Sequence, residues 1–141
     1  MRRIISVLIM IVACVAVYAQ MPRFGGAPAA AVWNARIEMT GARTGKLILT
    51  MTPSKGWHIY GFEVGEGGPK AMTTDFTKSV GVKFKGDFKP SVTPVKTHDD
   101  VFGVDVTYWE SKVVFTRSFE VTDPKAAKIT GVVNYQGGND E

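Results

Sequence analysis

Along most of this chain, hydrophobic and polar residues alternate with a period of two. In KLILTMT, Leu47, Leu49 and Met51 fall on one side and Lys46, Ile48 and Thr50 on the other. In VKFKGDF, Val82 and Phe84 alternate with Lys83 and Lys85, and in VVFTRSFEV, Phe115, Phe119 and Val121 oppose Thr116, Ser118 and Glu120. Successive side chains of a strand point to opposite faces, so this pattern marks half-buried strands. It predicts strands over 32–40, 44–52, 56–61, 72–77, 80–86, 104–109, 112–121 and 127–136. Turn formers separate them: Thr40-Gly41, Pro53 to Gly56, Gly65 to Pro69, and Asp123-Pro124. No sustained helical period follows the N-terminal segment. Many short strands with regular turns imply an all-β chain, an immunoglobulin-like β-sandwich. The Cys–Trp–Cys core of antibody domains is absent. The last edge strand is expected to be missing, because ITGVVNYQ runs into Gly137-Gly138 and then only Asn139, Asp140 and Glu141.

The first twenty residues follow a different logic. MRRIISVLIMIVACVAVYAQ opens with Arg2 and Arg3, carries an apolar run from Ile4 to Val17, and places Ala19 before Gln20. This reads as a secretory signal peptide over 1–19, cleaved after Ala19. The run is short for a membrane span, which needs about 20 apolar residues. A second reading is a lipoprotein leader, since Ile11-Val12-Ala13 precedes Cys14. Against it, the apolar run continues past Cys14, where a lipidated Cys would end it. Residues 20–31, QMPRFGGAPAAA, are expected to be a flexible lead-in, and 32–141 the domain.

Composition narrows the function classes. Hydrophobic residues make up 45% and charged residues 21% of the chain, as in ordinary globular domains. The net charge of +4 falls to +2 without Arg2 and Arg3, and no basic stripe carries interleaved aromatics, so no nucleic-acid partner is expected. Cys14 is the only cysteine. Cleavage after Ala19 would leave an exported domain with no sulfur for a disulfide, zinc binding or thiol chemistry.

Candidate chemistry is sparse. GEGGPK lacks the Gly-Lys-Ser/Thr of a phosphate loop and reads as a turn. His58 and His98 are the only histidines: Asp99 and Asp100 beside His98 make a metal site conceivable, but nothing at i+2 or i+4 helps His58 to chelate, so a structural or surface role and no metal or other cofactor is expected. There is no Gly-x-Ser-x-Gly elbow. THDDVFG, Thr97 to Gly103, sets two acids and a Val-Phe pair in a loop between strands. Such a pair either anchors the loop in the core or waits for a partner. The Gly pair in YQGGND would ordinarily mean a tight turn.

Taken in order, these stretches resemble the N-terminal periplasmic domain of the thiol:disulfide interchange protein DsbD. The resemblance runs from about Val32 to Asp140. It is carried by Lys55-Gly56-Trp57-His58-Ile59-Tyr60, by Gly67-Gly68-Pro69, by Asp99-Asp100-Val101-Phe102-Gly103 leading into Val104 to Trp109, and by Tyr135-Gln136-Gly137. It implies an immunoglobulin-like sandwich in the periplasm with two cysteines bracketing a hairpin. These would take electrons from a membrane-embedded domain, by way of a thioredoxin-like domain, and pass them to periplasmic thiol oxidoreductases of thioredoxin-like fold. Asp99, Asp100, Val101, Phe102 and Gly103 would form a cap loop over the cysteines, and His58, Tyr60, Tyr135 and Gln136 would line their place. Val101 stands where the family has an aromatic.

Gly138 occupies the position of the first redox Cys in this resemblance, and the second would fall beyond Glu141. Thiol–disulfide exchange needs a thiolate, which glycine cannot supply. Three explanations are open: a piece of a longer relay protein, a redox-dead relative that keeps a partner surface, or a Gly for Cys change at one codon base. The first fits the expected missing strand best, and any membrane link would then run through downstream segments or lipid at Cys14. A non-catalytic immunoglobulin-like binding module is the alternative from a different class, and a structural envelope domain is a third.

Overall fold

The computed structural model describes the backbone of Val12–Ala19 and residues 29–139. Residues 1–11, 20–28, 140 and 141 lie outside the described residues, and with them the start of the expected signal peptide, its expected cleavage site and most of the expected lead-in. Eleven strands follow one another: β1 (Val12–Ala19), β2 (Ala31–Met39), β3 (Thr44–Pro53), β4 (Trp57–Val64), β5 (Thr73–Asp75), β6 (Val82–Pro90), β7 (Val95–Asp99), β8 (Val104–Trp109), β9 (Val113–Val121), β10 (Lys128–Tyr135) and β11 (Gly137–Asn139). The described residues contain no helix, and the fold is the expected immunoglobulin-like β-sandwich.

One layer is the sheet β2-β3-β9-β6. The other is built from β11-β4-β8-β7 and β1-β10-β5. Gln136 joins the two parts of this second layer: the chain passes from β10 into β11 there, and the Gln136 carbonyl accepts the Tyr60 N–H at 3.0 Å.

The period-two pattern states which residues meet between the layers. Leu47, Leu49 and Met51 of β3 and Val113, Phe115, Phe119 and Val121 of β9 are all at most 2% exposed. They pack with Ile59, Trp109, Ile129, Val133 and Tyr135 from the opposite layer. Trp109 and Phe115 meet edge to face at 5.2 Å. Burying side chains of this size stabilises by about 1.5–3 kcal/mol each, so this stripe holds the sandwich shut.

Arg117 breaks the stripe. It lies between Phe115 and Phe119 on the same face of β9, where a charge is costly. The register of β6 slips between Lys85 and Lys89, around Gly86 at φ +67°. This bulge lets the Arg117 guanidinium lie 4.6 Å above the Phe84 ring and donate its Nε–H to the Gly86 carbonyl at 2.8 Å. The charge thus serves the bulge instead of lying unpaired in the core.

Three elements differ from the expectation. Thr97 and His98, read as loop, belong to β7, an edge strand almost wholly exposed, so burial imposes no alternation on its sequence. The Gly137-Gly138 pair is a strand, not a tight turn. Neither glycine has a positive φ, and both pair with β4. Val12–Ala19, an unbroken apolar run, forms a strand parallel to β10, from Val12 opposite Lys128 to Ala19 opposite Tyr135. Apolar runs without alternation are typical of strands in parallel pairing. With β1 on one side and β5 on the other, β10 is paired along both edges.

Candidate functional site

The site is set by the register of β11-β4-β8-β7. Gly138 stands opposite His58, Tyr60 opposite Tyr108, and Asp99 opposite Val104. Paired residues share a face and neighbours alternate. Gly138, His58, Tyr60, Tyr108 and Asp99 therefore lie on one face. Gly137, Trp57, Ile59 and Trp109 lie on the other, toward the core. The alternation of WHIY thus divides its work: Trp57 and Ile59 anchor the strand in the core, and His58 and Tyr60 lie on the opposite face of the sheet, His58 half-buried and Tyr60 buried.

Local geometry binds this group together. His58 Nε2 lies 3.1 Å from Tyr60 Oη, and the two rings meet edge to face at 5.0 Å. The Tyr108 ring lies 5.3 Å from His58. The sequence offered no local sign of Tyr108, which joins the site through strand pairing alone. Tyr60 is 6% exposed. Burial first, and the Asp99 carboxylate second, push its phenol above the ordinary value. Tyr60 is thus held as a neutral hydrogen-bonding group, and Asp99 is electrostatically coupled to the site although it comes from the far hairpin.

The predicted cap is the loop of the β7–β8 hairpin. Asp99 shapes it: its Oδ1 accepts the N–H groups of Val101 at 2.8 Å and Phe102 at 3.1 Å, and its carbonyl accepts the Gly103 N–H at 2.7 Å. Gly103 closes the turn at φ +70°, a conformation that favours glycine. Val101 is 90% and Phe102 42% exposed, so the apolar pair is presented to solvent and does not anchor the loop in the core.

The remaining predicted residues are placed as follows. Tyr135 is buried and packs in the core against Trp33, with ring centroids 5.5 Å apart. Gln136 stitches the site's edge: besides its carbonyl bond to Tyr60, its Oε1 accepts the Lys70 N–H at 2.8 Å. This ties the Gly67-Gly68-Pro69 turn to the start of β11. His98 points to the opposite face from His58 and pairs with Asp105 at 3.0 Å. Among the described residues no group of three His, Cys, Asp or Glu could hold a metal ion. A cavity of about 490 Å³ elsewhere is lined by Phe62, Phe76, Phe84, Phe88 and Arg117, but its guanidinium is already committed to the β6 bulge.

The arrangement as it stands is a small aromatic and imidazole surface beside an extended glycine, flanked by an exposed apolar loop. It has hydrogen-bonding groups but no sulfur among these residues.

Comparison with known proteins bears on the fold and the family. The family described as "Thiol:disulfide interchange protein DsbD, N-terminal" matches residues 28–141. Among solved structures, the N-terminal periplasmic domain of ScsB from Proteus mirabilis is similar, with a TM-score of 0.57 and 21% identity. The likeness covers 80% of this chain and 42% of that one, so this chain spans less than half of the solved protein. Among curated proteins none matches. No helix of the described residues is long and apolar enough to cross a membrane. The match over 28–141, which takes in β2 to β11 and the whole candidate site, makes this chain a member of the DsbD N-terminal domain family.

Proposed function

We propose that this chain is the docking portion of a periplasmic thiol:disulfide interchange relay, exported by residues 1–19 and working as part of a longer protein. Its partners are thiol oxidoreductases of thioredoxin-like fold. The reading rests on one observation above all: the β11–β4 register sets Gly138 against His58 and Tyr60, on the face that also carries Asp99 at the base of an exposed Val101-Phe102 loop. A partner that covers Val101 and Phe102 removes apolar surface from water, worth about 25 cal/mol per Å². The cap thus acts as a recognition element whether or not sulfur is present. Gly138 supplies no thiolate, so the chain binds at this face without exchanging disulfides there.

The test is a titration of the isotope-labelled domain with a purified periplasmic oxidoreductase of thioredoxin fold, read by amide chemical shifts. Shifts should map to Val101, Phe102, His58 and Gly138, and Phe102→Asp should weaken binding at least tenfold. Perturbation confined to other faces, or none at millimolar partner, would refute the reading. N-terminal sequencing of the exported protein should begin at Gln20; a start at Cys14 would mean lipidation instead.

The absence of sulfur at position 138 favours a second reading, a non-catalytic immunoglobulin-like binding module. It predicts that binding is indifferent to the redox state of the partner's cysteines, whereas a relay predicts a preference for one state.

A further inference from the structure

The sandwich treats its edge strands unequally. An exposed edge offers unpaired N–H and C=O groups to any strand that meets it, and short length, lysine, proline and bulges are the devices that block such pairing. Within the family-matched residues, β5 and β11 are edges of three residues each, and β7 is one of five with Lys96 exposed. β6 carries Lys83, Lys85 and Lys89, a register slip and a terminal Pro90. β2 has none of these devices: no lysine, proline or slip interrupts its nine residues against β3. Beyond its two ends, the Ala30 carbonyl accepts the Ser54 N–H at 2.8 Å, and the Thr40 N–H donates to the Thr44 carbonyl at 2.9 Å. Residues of an antiparallel ladder bond alternately to one side and the other. The even-numbered residues of β2 therefore bond to β3, and the backbone groups of Trp33, Ala35, Ile37 and Met39 turn to the free edge. Along this edge Ala35, Arg36, Glu38 and Met39 are exposed and Ile37 is half-buried.

We infer that this edge is a self-association surface: β2 of a second copy of this chain pairs antiparallel with it about a two-fold axis at Ile37. The residues choose that register. Arg36 and Glu38 share the outer face, both exposed, and lie 3.1 Å apart within one chain. An axis at Ile37 sets Arg36 opposite the second copy's Glu38, and Glu38 opposite its Arg36. Since these residues bond to their own β3, they meet as a non-hydrogen-bonded pair, in which side chains approach most closely. On the inner face the same register sets Ile37 against Ile37 and Ala35 against Met39, which covers exposed apolar surface. An axis one residue to either side, at Arg36 or Glu38, opposes like charges, and that destabilises a cross-strand pair. An axis at Ala35 leaves Arg36 opposite Asn34 and Glu38 opposite Val32, with no charge paired. The two-fold contact is closed and self-complementary, and it joins the β2-β3-β9-β6 sheets of the two copies into one. β2 belongs to the layer opposite His58, so the dimer leaves the candidate site open and stands apart from the docking reading.

The experiment is sedimentation velocity of the full chain over a concentration series, with circular dichroism to confirm that each variant is folded. The parent should pass from monomer to dimer as concentration rises. Arg36→Glu sets glutamates against each other in both halves of the contact and should weaken the dimer at least about tenfold. Arg36→Glu/Glu38→Arg exchanges the charges in both copies and should restore the dimer to within about threefold of the parent. Ala35→Pro removes an outward N–H that β3 does not use, a place where an edge strand tolerates proline, so the chain should fold and the dimer should be lost. Should Ala35→Pro not fold, the charge series decides alone. A parent that stays monomeric at about 1 mM overturns the proposal. So does a dimer indifferent to Arg36→Glu, or a double reversal that fails to restore pairing. The measurement needs no oxidoreductase, so its failure is distinct from failure of the docking reading.

Discussion

Replacing Gly131 with alanine sets two effects of opposite sign against each other. Gly131 lies in the middle of β10, where strand propensity alone favours alanine over glycine by about 0.5–1 kcal/mol. The packing says otherwise. A Cβ on Gly131 would lie 2.0, 2.2 and 2.5 Å from three atoms of the Phe76 ring, which lies across the glycine. Phe76 is 3% exposed, and its ring is held against Phe84 at 5.9 Å and Phe88 at 5.4 Å. To reach normal contact the ring must retreat by more than an ångström into occupied space. Overpacking of this kind costs about 1–3 kcal/mol, occasionally more. The packing term wins, leaving a net loss of about 1–2 kcal/mol, or a fall in Tm of roughly 4–8 °C for a domain of this size. Thermal and urea unfolding of Gly131→Ala would measure it. The double variant Gly131→Ala/Phe76→Leu makes room for the new methyl. It should lose less than the sum of the single variants by at least about 0.5 kcal/mol, because the two sites are in contact. A Gly131→Ala protein as stable as the parent, or a strictly additive pair, would refute the reasoning.

Further outcomes follow from the same geometry. Thr107 is buried and its Oγ1 donates to the Glu63 carbonyl at 2.9 Å, where the β4–β8 register slips between Tyr60 and Val64. Thr107→Val keeps the shape and loses the bond, so stability should fall by about 1 kcal/mol, the low end for a lost hydrogen bond since Glu63 is exposed and water can reach it. Urea midpoints at unchanged m-value would check it. Tyr60 has a raised phenol pKa in the folded chain, so above about pH 10 the unfolded state releases that proton first. Stability from Tyr60 is therefore present below pH 10 and declines as pH rises toward the folded value. Absorbance at 295 nm should show a late-ionising tyrosine that Tyr60→Phe abolishes and Asp99→Asn moves only part of the way back, burial being the larger cause. Phe102→Asp should change stability by less than about 0.5 kcal/mol, because the ring is 42% exposed and outside the core. A larger loss in chemical denaturation would mean that the loop is a structural anchor.

Sequence alone determined the strands whose two faces meet different surroundings. Leu47, Leu49 and Met51, and Phe115, Phe119 and Val121, alternate because one side meets the opposite layer while the other carries mostly polar residues, Ile48 being a buried exception, and burial writes a period of two into the chain. It also determined the turns at Gly65 to Pro69 and Thr40-Gly41, whose signals are local, and the order of motifs that points to the family. Tertiary structure alone decided what depends on distant partners. β7 is exposed on nearly every residue, so nothing in its own sequence records that it is a strand. The Gly137-Gly138 pair has the local chemistry of a turn and becomes a strand because β4 supplies hydrogen-bonding partners about eighty residues earlier in the chain. The site itself is of this second kind. His58 and Tyr60 share a face by simple alternation, but Gly138, Tyr108 and Asp99 reach that face only through cross-strand register, which no local pattern of residues can state.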